Sequence, residues 1–172
     1  MTMTINRTLA AATLLLCGCV TQQPQNAEEF RKVAPGAFMI KVENHEINRS
    51  LKEIGATFRA RATECLNMRV TTTSQTPGSY QVIVTAYKPT VVVTGERVEL
   101  HLQRKHEKGV IAATKEPEGG HYIIVADVYP LDAKRSRMQT IGVSRGHDVV
   151  YQAIMGWATG KSLGCPDLAK IG

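Results

Sequence analysis

Aromatic residues make up 5% of this 172-residue chain, with a single Trp, and no apolar run approaches membrane-spanning length. The first scarcity removes the stacking platform on which single-stranded nucleic-acid binders rely. The second excludes a permanent helical anchor, which needs about 20 apolar residues. Acidic residues are outnumbered, 15 against 21 Lys+Arg, so the chain is no acidic solvating tail. Metal-ligand spacing is missing as well. His45, His101, His106, His121 and His147 are scattered, and His101 and His106 would point to opposite faces of a strand, so surface positions and no metal site are expected. Gly160-Lys161-Ser162 lacks the upstream glycine of a phosphate loop, Met155 standing in its place, and reads as a helix stop. No nucleotide, cofactor or catalytic residue is therefore expected, and spacing yields no catalytic triad or carboxylate pair.

What is present begins at the N-terminus. Arg7 precedes a short apolar stretch, Leu9 to Leu16, which ends in small residues. A positive start, a compact apolar segment and a small-residue end form a secretory signal. Its tail, Leu16-Cys17-Gly18-Cys19, resembles the lipobox of bacterial lipoproteins. The resemblance implies cleavage after residue 18 and a lipid on Cys19. It also implies an outer-membrane destination facing the periplasm, because Val20 is not the aspartate that retains such proteins on the inner membrane. Several acyl chains give a stable anchor, each buried CH2 contributing about 0.8 kcal/mol. Residues 19–35 then read as a lipidated start and a polar tether carrying Pro24 and Pro35.

Processing leaves two unmodified cysteines, Cys65 and Cys165. In an oxidising compartment they are expected to pair. The sequence around Cys65 shows no signature of a cysteine hydrolase.

Residues 36–172 read as one α+β domain. A strand is expected over 37–42, then a helix over 45–66 capped by Asn44, with Ile47, Leu51, Ile54, Phe58, Ala62 and Cys65 forming its apolar stripe. Beyond Asn67 the period changes from 3.6 to 2. Strands are expected over 68–73, 80–87, 91–93, 97–104, 110–114, 121–128 and 138–143, and a second helix over 147–160 that buries Trp157. Asp148 is expected to cap that helix. Short turns between the strands imply an antiparallel sheet. The expected architecture is a two-layer sandwich of about five to seven strands, with a long N-terminal helix and a shorter C-terminal helix on one face. The run from Gly120 through Val125-Ala126-Asp127 to Gly156-Trp157-Ala158 and Gly164-Cys165-Pro166-Asp167-Leu168 resembles the ending of small uncharacterised bacterial lipoproteins, a resemblance that implies no activity.

Positive charge gathers in two places, Arg104-Lys105-His106-Glu107-Lys108 and Lys134-Arg135-Ser136-Arg137. Both are expected in hairpin loops, where Arg104, Lys105, Lys108, Lys134, Arg135 and Arg137 could meet an anionic partner. The open sheet face near Tyr80, Tyr87 and Tyr122 is a second candidate contact surface. The sequence thus points to a non-enzymatic, lipid-anchored accessory or scaffold subunit with an envelope protein as partner. A small-ligand binder with a cavity between helix and sheet is the alternative, and a cell-envelope hydrolase follows behind both. Replacement of Cys19 by Ala is expected to abolish palmitate labelling and to move the protein from the membrane fraction to the soluble fraction. Labelling that persists in the variant would contradict the lipobox reading.

Overall fold

The computed structural model describes residues 23–108 and 116–171. A short helix, α1 (Ala27–Val33), is followed by β1 (Ile40–Ile47), α2 (Leu51–Leu66), β2 (Met68–Thr76), β3 (Ser79–Val93), β4 (Val98–Lys108), β5 (His121–Pro130), β6 (Ser136–Val143) and α3 (Asp148–Ala158), with a last 3-10 turn at Leu168–Lys170. The strands form one sheet in the order β1-β6-β5-β4-β3-β2, every neighbouring pair antiparallel. The fold is therefore α+β, and β1 and β2 are its edges.

Alternation along the strands sets the main core. Leu100 and Leu102 of β4, Ile124 and Ala126 of β5 and Met138 of β6 face Ile54, Phe58 and Ala62 of α2 and Ile154 and Trp157 of α3. Helix α2 begins where Ser50 and Glu53 form a capping box: the Glu53 N–H donates to Ser50 Oγ at 3.4 Å, and the Ser50 N–H donates to Glu53 Oε2 at 3.0 Å. Helix α3 ends in a Schellman turn at Gly160, whose φ of 82° suits glycine. There the Lys161 N–H donates to the Gly156 carbonyl at 2.8 Å, and the Gly160 N–H to the Trp157 carbonyl at 3.2 Å. The Arg49 guanidinium donates to the Trp157 and Ala158 carbonyls at 2.9 and 3.3 Å. It places a positive charge at the negative end of α3 and fixes that end beside the β1–α2 junction.

Four expectations need correction. Residues 45–47 belong to β1, so the helix starts six residues after its expected start: Ile47 fits both a strand and a helix stripe, and the Ser50 cap decides between them. The N-terminal helix of the chain is the seven-residue α1, within the expected tether; α2 lies mid-chain and α3 C-terminal. The sandwich is not simply two-layered, because α1 packs on the sheet face opposite α2 and α3, setting Phe30 against Val125 and Ile141. The expected strands at 80–87 and 91–93 are one strand, β3, carrying Pro89. The β2 ladder ends at Met68 opposite Tyr87, so Pro89 sits on an open edge and its missing N–H costs no ladder bond. The strand expected over 110–114 lies outside the described residues.

Cys65 and Cys165 form the expected disulfide, 100 residues apart in sequence, which ties the end of α2 to the segment after α3. Closing a loop of that length stabilises the fold by up to about 4.7 kcal/mol in the chain-entropy view. Under non-reducing conditions Cys165→Ser is expected to melt well below the wild type. Adding reductant should lower only the wild-type melting temperature. Equal melting of the two proteins would show that the bridge carries no stability.

Candidate functional site

Six strands span a wider sheet than two helices cover. Helix α2 lies over β3, β4 and β5, and α3 packs beside α2. Between α3 and the β1–β6 side of the sheet a cleft of about 480 Å³ remains. Its floor is Lys41, Glu43 and His45, alternate residues of β1, with Met138 and Thr140 of β6. Its wall is Asp148, Tyr151, Gln152, Met155 and Gly156, one face of α3, and Lys161 and Leu163 close one end. Pairing in register places Lys41 opposite Gly142, and His45 opposite Met138. Polar and apolar groups are mixed along the cleft: Lys41, Tyr151 and Asp148 lie towards the start of α3, and Met138, Met155 and Leu163 share the other end with His45 and Lys161.

Two glycines shape it. A Cβ on Gly142 would stand 2.3 Å from the Ile123 carbonyl oxygen on β5 and 2.6 Å from the Tyr151 hydroxyl, so the bare strand position admits both the neighbouring backbone and that phenol. A Cβ on Gly156 would stand 2.1 Å from Leu163 Cδ1, so this glycine lets the segment after α3 lie against the helix.

Among the described residues, six buried side-chain nitrogen or oxygen atoms lack a hydrogen-bond partner, and three of them belong to cleft residues: His45 Nε2, Thr140 Oγ1 and the Tyr151 hydroxyl. Thr140 is 3% exposed and Tyr151 7%. Buried polar groups are normally paired, and an unpaired one costs about 1–3 kcal/mol. The Thr140 and Tyr151 hydroxyls lie beneath the surface of the cleft, and His45 Nε2 is 3.8 Å from Glu43 Oε2. Burial pushes the Tyr151 phenol far above its ordinary range, and the fields of Glu43 and Asp148 push it further, so it stays a neutral hydroxyl. Lys41 Nζ lies 3.8 Å from the Tyr151 ring centroid and 3.3 Å from Glu43 Oε1. Two lysines face two carboxylates in this lining, which is close to charge balance.

A second polar cluster lies on the opposite sheet face beneath α1. Arg31 spans Asp127 with two bonds, Nε to Oδ2 at 2.7 Å and Nη2 to Oδ1 at 2.6 Å, and also donates to Glu99. Its Nη2 is 3.2 Å from His101 Nε2, which lies 2.9 Å from Glu99 Oε2. Arg97 holds the other Glu99 oxygen at 2.6 Å. Burial opposes charge on both Arg31 and Glu99, yet the bonds of Arg31 to Asp127 and Glu99 outweigh it and raise the arginine, and the bonds of Glu99 to Arg31 and His101 lower the glutamate. One donor atom each from Glu99, His101 and Asp127 lie within 4.8 Å of one another, a set able to hold a metal ion. The Arg31 guanidinium is seated on all three and supplies the positive charge there. Sequence spacing missed this group because its members come from β4, β5 and α1, far apart in the chain.

The basic residues are not brought together. Arg104, Lys105 and Lys108 lie on β4 and not in a loop, with Arg104 half-buried and Lys105 exposed. Lys134 and Arg135 are in the β5–β6 turn, where Arg135 pairs with Asp132 at 2.7 Å, and Arg137 is exposed on β6. Arg104 pairs with His121 at the start of β5, whereas this turn follows its end, so the clusters stand roughly 30 Å apart. The tyrosines form no open patch either. Tyr80 is exposed on the β2–β3 arm, Tyr87 is in the core, and Tyr122 lies 5.8 Å from Phe30 under α1. Two histidines expected on the surface, His101 and His147, are buried. His147 itself is the N-cap residue of α3 and makes no side-chain cap bond; Asp148 stands in the first turn, where its charge suits the helix dipole. Cys19 lies outside the described residues.

Comparison with known protein families and with curated proteins finds no match. Among solved structures the chain is similar to the hypothetical protein jhp0584 of Helicobacter pylori, with 11% identity and a TM-score of 0.41 over 76% of this chain and 92% of that one.

The buried histidines make a pH dependence. Burial is the largest cause that lowers His101 and His147 below the ordinary histidine value of 6.5; Arg31 adds to it at His101 and Arg104 at His147. Between 6.5 and those lower values the unfolded chain takes up protons that the folded chain refuses. Stability is therefore complete above about pH 7 and falls as pH drops towards 5, by at most about 1.4 kcal/mol per pH unit for each histidine. Thermal melting across that range should show the fall, with a shallower slope in His147→Asn. A pH-independent melting temperature would contradict the burial of these rings.

Proposed function

We propose that this protein is a lipid-anchored binding protein of the cell envelope, acting without catalysis at the outer membrane, and that the cleft between β1 and α3 is its binding site. The single observation that carries the reading is that Thr140 and Tyr151, two buried residues whose hydroxyls have no hydrogen-bond partner, both line one open cleft. A cavity of about 480 Å³, lined by apolar side chains with polar groups set among them, suits a small ligand or one segment of a larger partner. The lipobox-like Leu16-Cys17-Gly18-Cys19 supports the address. Seven residues separate Cys19 from α1, so a lipid on Cys19 would hold the domain within about 25 Å of the bilayer surface. The basic residues stand at opposite ends of the sheet and offer no single contact surface.

A photoreactive amino acid at Gln152, an exposed residue in the cleft wall, tests this in cells that make the lipidated protein. A specific adduct is expected at position 152 and not at Lys52, an exposed position on α2. Equal yields at the two positions would overturn the reading.

A further inference from the structure

Strand β3 is 15 residues long and runs past the end of α2. The first turns of that helix lie over one end of the strand, where a Cβ on Gly55 would stand 3.2 Å from Val93. At the other end of α2 the Cys65–Cys165 disulfide delivers the C-terminal segment, so Leu168 and Ile171 cover strand surface that the helix leaves bare. Beneath them the strand registers set two rows of side chains. One row is Val70, Thr85 and His106, and Tyr87 and Arg104 stand beside it. Together with Thr72 and Ile83 they enclose a cavity of about 210 Å³, separate from the β1–α3 cleft and independent of the reading given to it.

Arg104 is the charge in this cavity. Arg31, Arg61, Arg69, Arg97 and Arg135 each pair with a carboxylate. Arg104 pairs with none among the described residues, and its Nε is buried without a hydrogen-bond partner. Its neighbours do not balance it. Burial pushes the Tyr87 phenol up, so that group stays neutral, and burial and the field of Arg104 push the His106 imidazole down. His106 Nδ1 is engaged with Thr85 Oγ1 at 3.1 Å. Glu116, whose charge reaches His106, is held by His121 at 3.0 Å. A half-buried guanidinium without an anion is a desolvated charge, and the paired donors of its fork match a carboxylate. The walls beside it are apolar, Val70 and Ile83 below and Leu168 and Ile171 above, and inorganic phosphate would leave them unused. At about 30 Å³ for each water-sized group, the cavity holds roughly seven non-hydrogen atoms. We propose that it is a binding site for a small aliphatic monocarboxylate, whose carboxylate pairs with Arg104 and whose hydrocarbon part lies between Ile83, Leu168 and Ile171.

The test titrates the lipidated, disulfide-intact protein, its isoleucine methyl groups labelled for NMR, with isovalerate, its uncharged amide isovaleramide, and inorganic phosphate. Expected is a saturable shift of the Ile83 and Ile171 signals by isovalerate, while those of Ile54 and Ile154 in the main core stay in place. The amide and phosphate should each bind at least tenfold more weakly than the acid. Arg104→Met should lose at least tenfold in affinity for the acid. Without ligand it should melt no lower than the wild type, because the substitution removes an unpaired charge. No shift at Ile83 and Ile171, amide binding equal to that of the acid, or unchanged affinity in Arg104→Met would overturn the proposal. Phosphate binding as tight as isovalerate would overturn the carboxylate assignment. A leucine-ended tripeptide that binds more tightly than isovalerate would overturn the small-ligand assignment in favour of a peptide terminus. Melting of Arg104→Met well below the wild type would show that the guanidinium serves the fold and would also overturn the proposal.

Discussion

Neighbouring strands stand about 4.8 Å apart, so six of them make a sheet roughly 24 Å wide, while two packed helices cover about 20 Å. Helix α2 takes the centre of this sheet, over β3 to β5, and the core residues of β4 and β5 hold it there. The mismatch then falls on the β1 side. Everything that shapes the cleft follows from how the chain places α3 against that shortfall. Arg49 fixes the end of the helix, Gly160 turns the chain back, and Gly156 lets Leu163 fold against it. The disulfide from Cys165 to Cys65 closes the path by returning the chain to α2.

The opposite face follows a different rule. Helix α1 has only seven residues, too few to be stable in water by itself. Its place is held by Phe30 on Val125 and Ile141 and by Arg31 among Glu99, His101 and Asp127. Breaking such a buried pair by removing one partner typically costs 3–5 kcal/mol, because the remaining charge is stranded. The residues nearest the sequence-expected lipid are thus fastened to the domain, and the tether there is shorter than its composition implied.

Much of the fold was legible in the sequence because it rests on periodicity. Ile54, Phe58, Ala62 and Cys65 form a helical stripe, Val98, Leu100 and Leu102 form a strand face, and all seven are buried. The cysteine pair followed from compartment and counting. The junction of β1 and α2 was not legible, since Ile47 satisfies both periods, and only the Ser50–Glu53 capping box resolves it. The cleft was harder still. Lys41, Glu43 and His45 carry a clear two-residue alternation, yet a polar alternation does not say whether its face meets solvent or a helix. Gly142 in the middle of a strand was the one local sign that another group, here the Tyr151 hydroxyl, comes close. The Arg31 cluster depends on strand order, which no single-chain pattern contains.

The most direct measurement of the central claim uses the chain's own reporters. Met138 and Met155 line the cleft, while Met39 and Met68 are partly exposed outside it. Methyl-labelled methionine spectra of the lipidated protein, recorded with and without a soluble envelope extract, distinguish the two pairs. The account predicts that the Met138 and Met155 signals shift together while those of Met39 and Met68 stay in place. Shifts confined to Met39 and Met68, or absent from all four, would contradict it.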